Sequence, residues 1–264
     1  MTGTALLAEL IALNPRELAD VNAGVRGVAG AALGLTALRS DGDPRGLDPA
    51  VAEFAEQFAV DVSVLSPAQR AAFAAATGDA VLDVTALIFI ADFAPRVLVA
   101  LSALDVPVGR PEWDRDCAPA DVLLNGFAPA VGRMRELDPV TSELVRLRGA
   151  RAHNCRLCKS LREGAALDAG GDEAMYDAID RYEQSDLSER HKAALRYVDA
   201  LIWTPQRPPN VLGHFGRAEA VELTLDVMRN ACNKIAVALG FDEPRVPEGT
   251  ERYLLGADGQ PVYS

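Results

Sequence analysis

Cys155-Arg156-Leu157-Cys158 is the sharpest chemical feature of this chain. Two thiols three positions apart suit a division of labour in which one thiolate attacks a peroxide and the other resolves the resulting sulfenic acid to a disulfide. Glu143 stands before Cys155 with eleven residues between them. A carboxylate beside a thiol helps by proton transfer, because its charge opposes thiolate formation. His153, two positions before Cys155, offers a second base and reads equally well as a capping histidine at a helix end. The pair also admits a structural or metal-binding reading. Zinc needs four ligands, however, and no second CxxC or HxxxH follows at finger spacing. Of the other cysteines, Cys117 sits among prolines and Cys232 reads as a small buried hydrophobe. His191 and His214 read as surface or packing residues, and Asn230 and Asn233 as helix–helix hydrogen-bonding groups.

The elements that must position these groups read as helices almost throughout, so the fold class expected is all-α. Helical periodicity runs through 6–13, 16–38, 50–60, 67–76 and 79–104, the last carrying Pro95 within it. Ser66 with Pro67, Asp172 and Ser188 are start signals, and Gly170-Gly171 and Gly240 are stops. In the second half, helices are expected over 139–153, from about 155 to 169, and as one long piece over 217–239. No convincing strand pattern is present, so the βαβ unit of a thioredoxin is not expected. A helix starting at Cys155 would give the cysteines unpaired amides and a positive helix end that favour a thiolate. The segment 80–107 can be laid on 220–244, with Arg96-Val97 on Lys234-Ile235 and Asp105 on Asp242, which suggests an internal duplication. The resulting division is a first half at 1–106 without a CxxC, a proline-rich linker at 107–121, a second half at 122–244 and a tail at 245–264.

Composition narrows the partners. The 264 residues carry 26 Lys and Arg against 38 Asp and Glu, a net charge of −12. Phosphate binding needs a basic patch, so nucleic acid and anionic membrane surfaces are not expected partners. The N-terminus lacks a basic n-region and carries Glu9, so no signal peptide is expected. Four cysteines are too few for a disulfide scaffold, and a cytoplasmic location is expected.

The stretch Leu137-Asp138-Pro139, Glu143-Leu144-Val145-Arg146-Leu147-Arg148, Cys155-x-x-Cys158, then Leu187-Ser188-Glu189-Arg190, Ala193 to Tyr197, Glu222-Leu223-Thr224, Asn230 and Asn233-Lys234 resembles the carboxymuconolactone decarboxylase/AhpD-like superfamily. The likeness covers roughly 120–244, with a degenerate copy near 47–107. It implies an AhpD-like helical bundle in two tandem repeats, homo-oligomers and thiol-dependent alkylhydroperoxidase activity. By the same resemblance Cys158 is the peroxidatic cysteine, Cys155 the resolving one and Glu143 the relay carboxylate. No separate cofactor is implied, since the dithiol is itself the redox group. The partners implied are a hydroperoxide and a thiol or protein reductant. At the family's histidine position, four residues after the second cysteine, this chain has Arg162. Arginine cannot shuttle a proton near neutral pH, but its charge can stabilise a thiolate or pair with Glu143.

A thiol peroxidase or disulfide-exchange enzyme is therefore the leading expectation. A carboxymuconolactone-type decarboxylase, or a non-catalytic oligomeric or redox-sensing module, are the alternatives. The long Ala-rich helices carry more apolar surface than one half can bury, so self-association is expected. Light scattering at micromolar concentration should give a mass well above the 28.1 kDa of one chain.

Overall fold

The structure, a computed structural model, describes residues 3–263 and is built mainly of helices. The first half contributes α1 (Gly3–Ala12), α2 (Ala19–Leu33), α3 (Pro49–Asp61), α4 (Pro67–Thr77) and α5 (Val81–Ala103). In the second, α6 (Pro119–Asp121) and α7 (Ala128–Gly132) are joined through a π turn at Val122–Phe127. They are followed by α8 (Pro139–Ala152), α9 (Arg156–Lys159), α10 (Gly164–Asp168), α11 (Glu173–Asp177), α12 (Glu189–Trp203), α13 (Arg217–Ala231) and α14 (Asn233–Leu239). The start signals act as their chemistry requires. Ser66 and Gln69 form a reciprocal capping box, and Asp138, Asp172 and Ser188 accept from the amides of Thr141, Met175 and His191. Gly34 and Gly240 end their helices at φ of 61° and 78°, where only glycine goes without strain.

Two expected helices are divided. Residues 155–169 split into α9, an extended segment β1 (Leu161–Glu163) and α10. β1 pairs in parallel with β2 (Glu251–Leu255), which pairs antiparallel with β3 (Pro261–Tyr263). The strands therefore correct the strand-free expectation, and the tail is ordered structure laid beside the CxxC turn. The cause is nonlocal: the Glu251 amide donates to the Ser160 carbonyl at 2.8 Å, an interaction no local period encodes. Helix 217–239 is likewise interrupted at Cys232, which separates α13 from α14.

The linker has no regular structure before Pro119, yet it is not a loose tether. Asn14 and Ala12 exchange backbone hydrogen bonds with Asp114, and Arg39 stacks 4.0 Å over the Trp113 ring. Apolar side chains from both halves form one continuous cluster. α5 runs through its centre and is buried all round from Val84 to Val97. The apolar stretch at 67–103 is long enough to cross a bilayer, but 89% of its most apolar window is buried inside the protein.

At the middle of α5 the core contains charge. Both oxygens of Asp92 are used: Oδ1 accepts from Arg96 at 2.6 Å and Oδ2 from Lys234 on α14 at 2.5 Å. Arg96 also donates to the carbonyl oxygens of Ala59 at 2.9 Å, Leu201 at 3.0 Å and Ile202 at 2.5 Å, near the ends of α3 and α12. Those carbonyls are the negative poles of their helices, so one guanidinium fastens both to α5. Lys234 lies 4.7 Å above the Phe58 ring. Burial is the main cause that lowers its pKa to about 8, with Arg96 acting the same way and Asp92 opposing.

Breaking such a cluster from its anionic side strands two buried cations. Asp92→Ala should therefore cost about 3–5 kcal/mol of stability in urea unfolding. Lys234→Met, which leaves Asp92 paired with Arg96, should cost distinctly less. Equal losses would contradict the arrangement.

Candidate functional site

α8 starts at the Asp138 cap and places Glu143 and Arg146 three positions apart on one face. Glu143 is fully buried, and both its oxygens accept from Arg146, Oε2 from Nε at 2.6 Å and Oε1 from Nη2 at 2.7 Å. The same guanidinium donates to the carbonyl of Cys158 at 2.8 Å and of Leu161 at 2.7 Å. Glu143 Oε1 also accepts from the Glu163 amide at 3.2 Å. Burial disfavours the Arg146 charge, but Glu143, Tyr253 and Glu163 more than offset it and raise the guanidinium above its ordinary value. Arg146 thus joins the buried carboxylate to the backbone of the CxxC turn. The i,i+3 spacing of Arg146 from Glu143 is the signal in the sequence for this pair.

The turn itself begins where α8 ends. Asn154 adopts φ 53°, a left-handed conformation that asparagine tolerates, and returns the Cys155 amide to the Ala150 carbonyl at 2.9 Å. Cys155 then caps α9, its sulfur accepting from the Cys158 amide at 3.2 Å. The two Cα atoms are 5.4 Å apart and the sulfurs lie at bonding distance as a disulfide. Cys155 is fully buried and Cys158 is half-buried.

The helix start is not the open thiolate site that the spacing suggests. Asp242, just beyond α14, takes the Arg156 amide on its carboxylate at 2.9 Å and the Leu157 amide on its carbonyl at 2.8 Å. It also pairs with the Arg156 guanidinium at 2.8 Å. α9 has four residues, so its dipole is slight.

Arg162 is placed differently from expectation. It lies on β1 rather than on a helix with Cys158, and its guanidinium pairs with Glu173, both contacts at 2.8 Å. It donates as well to the Lys159 and Leu161 carbonyls and stacks 5.4 Å over Tyr176. The pairing with Glu143 that was open to Arg162 belongs to Arg146. The reason is the strand: extended backbone turns the fourth position after Cys158 away from the face it would hold in a helix.

His153 is also turned elsewhere. Its Nδ1 lies 2.9 Å from Asn233 Oδ1, its ring stands edge-on to Phe93, and Nε2 is buried without a partner. Burial lowers its pKa to about 3, helped by Lys234. It closes α8 against α14 and makes no hydrogen bond to either sulfur. Asn233 makes the expected helix–helix bond, whereas the Asn230 amide nitrogen is buried and unpartnered. Cys117 and Cys232 are free thiols, and burial pushes Cys232 up to about 12. Among the described residues, no group of His, Cys, Asp and Glu is arranged to hold a metal ion.

What the fold and site define is a mainly helical protein with a surface CxxC turn backed by a buried Glu–Arg pair. No known family profile matches the sequence, and no solved structure matches it. Two proteins of Mycobacterium tuberculosis do: uncharacterized protein Rv2313c of strain ATCC 25618 / H37Rv and uncharacterized protein MT2376 of strain CDC 1551 / Oshkosh. Each is 49% identical over 274 aligned positions, covering 97% of this chain and 96% of the relative. The chain belongs to the family of these two proteins.

His153 has a measurable consequence for stability. Its folded pKa lies near 3 and its ordinary value near 6.5, so between these limits the unfolded chain binds more protons. Stability should therefore fall as pH drops through this window, by on the order of 4 kcal/mol from this residue. His153→Asn, which keeps the Nδ1-like donor to Asn233 without titrating, should flatten that part of the curve in urea unfolding from pH 7 to pH 4.

Proposed function

We propose that the protein is a thiol-dependent oxidoreductase of the alkylhydroperoxidase type, with Cys155 and Cys158 as its redox pair. The observation that carries this reading is the CxxC turn itself: two sulfurs at bonding distance, one buried and one half-buried, with Glu143 linked through Arg146 to the Cys158 carbonyl. In this reading the Cys158 thiolate attacks the outer oxygen of an organic hydroperoxide. The O–O bond breaks, the alkoxide leaves as alcohol once protonated, and Cys158 becomes a sulfenic acid. The Cys155 thiol displaces its hydroxyl as water to form the disulfide, and an external dithiol or protein reductant returns both thiols. The half-exposed position of Cys158 supports its assignment as the attacking group, in agreement with the family resemblance.

Mass spectrometry before and after one equivalent of organic hydroperoxide tests the reading. The reduced protein should lose two protons at Cys155–Cys158. Cys158→Ser should consume no hydroperoxide, whereas Cys155→Ser should complete one turnover and stop at a sulfenic acid. The reverse pattern would exchange the two roles. Unchanged thiols together with turnover of a lactone acid would overturn the reading in favour of a decarboxylase.

A further inference from the structure

Away from the cysteines, the first half and the linker enclose a groove of about 980 Å³, within the size range of small-molecule sites. Two chain reversals build it. Gly34 ends α2 at φ 61° and returns residues 35–39 over the helix, so closely that a Cβ on Gly30 would lie 2.8 Å from that of Ala37. α5 is closed by Leu104, and Asp105, at φ 54°, sends the linker back in turn, with the Val106 amide on the Leu101 carbonyl at 2.9 Å. Between the returning segments lies one face of α5, carrying Pro95, Leu98, Val99 and Ser102 at i, i+3, i+4 and i+7. Leu38 lines the groove from the first segment, and Val106 and Val108 from the second.

The charges on the lining run against those of the chain. The protein has a net charge of −12, yet the described residues of the groove include two arginines, Arg39 and Arg110, against one acid, Asp105. Arg39 is held in place by its stack over Trp113 at 4.0 Å and by the Pro111 carbonyl, to which it donates. That contact brings the ends of the two returning segments together, and with them both arginines. Asp105 stands at the start of its segment, five positions from Arg110. Arg110 has no hydrogen bond or ion pair on its side chain among the described residues. Arg26 lies buried behind, 5.5 Å from the same Trp113 ring, and its pKa is lowered to about 10, first by burial and then by Arg39. One end of the groove is therefore cationic and holds guanidinium donors that nothing in the fold uses, the arrangement that binds a carboxylate. No aromatic ring lines the groove among the described residues, so its apolar part suits an aliphatic chain and gives a planar ring nothing to stack on.

We propose that the groove binds a single-chain amphiphile with a carboxylate head, of the fatty-acid class. The carboxylate sits on Arg39 and Arg110, and the alkyl chain lies along Leu98, Val99 and Val108. The site is separate from the thiol chemistry, since no cysteine lines it.

The test is isothermal titration calorimetry of the full-length protein near neutral pH with decanoate, hexanoate and 1-decanol, each below its aggregation limit. Decanoate should bind once per chain and on the order of tenfold more tightly than hexanoate, because each half-buried methylene adds about twofold. Arg110→Gln should weaken decanoate about fivefold and leave 1-decanol unchanged, since only the charged head meets the guanidinium. Val99→Trp, which fills the groove from its floor, should abolish binding of both. Urea unfolding of the variants should match the parent. If Val99→Trp unfolds early, Arg110→Gln, at an exposed position, still decides. A parent that binds no decanoate would overturn the proposal, as would an Arg110→Gln variant that affects neither ligand or both equally. Light scattering in which Val99→Trp splits an oligomer into single chains, with decanoate unbound by the parent, would assign the groove to a second copy and overturn it as well.

Discussion

Asp92 answers for two cations in the middle of an apolar core. Its carboxylate is the reason Arg96 and Lys234 can be buried, and they in turn hold α3, α12 and α14 against α5. The influence extends to the cysteines. Lys234 is neighboured by Asn233, which fixes the His153 ring where α8 ends, and Asn154 reverses the chain immediately afterwards. At its other end α14 runs through Gly240 into Asp242, which holds the first amides of α9. The CxxC turn is thus gripped on both sides by one short helix, and the core charge sets where that helix lies. Pairing Arg96 and Lys234 on a single carboxylate also joins the two segments that resemble each other in sequence.

Much of this architecture was legible from local rules. Caps at Ser66, Asp172 and Ser188, the left-handed Gly240 and apolar periodicity located the helices, because these signals act within a few residues of where they are written, whereas Gly34 ends α2 inside the helix expected over 16–38. The cysteine pair and Glu143 were legible for the same reason, as chemistry-bearing residues at suitable spacing. What was not legible depends on distant partners. Residues 161–163 have no strand pattern of their own and become extended because 251–255 offers them a hydrogen-bonding edge. Arg162 was assigned to a helix face that does not form, and its guanidinium therefore meets Glu173. The amides expected to serve a thiolate are spent on Asp242, 86 positions away.

Electrostatics at the site follow from the same geometry. Around the turn, Glu143, Glu163 and Asp226 face Arg146 and Arg229, a near balance in which each arginine is pinned to one acid. The third carboxyl is left as the odd charge.

The β2 strand has a bearing on the order in which the protein becomes complete. Tyr253 stacks over Arg146 from β2, and Arg133 reaches the Asp258 carbonyl in the turn that follows it. During synthesis the helices of both halves emerge before this segment, and the cysteines precede it by almost a hundred residues. Until it docks, the Glu143–Arg146 pair lacks one wall, and the Ser160 carbonyl lacks its donor. The nascent thiols therefore acquire their finished surroundings only once residues 251–255 have followed them out and docked.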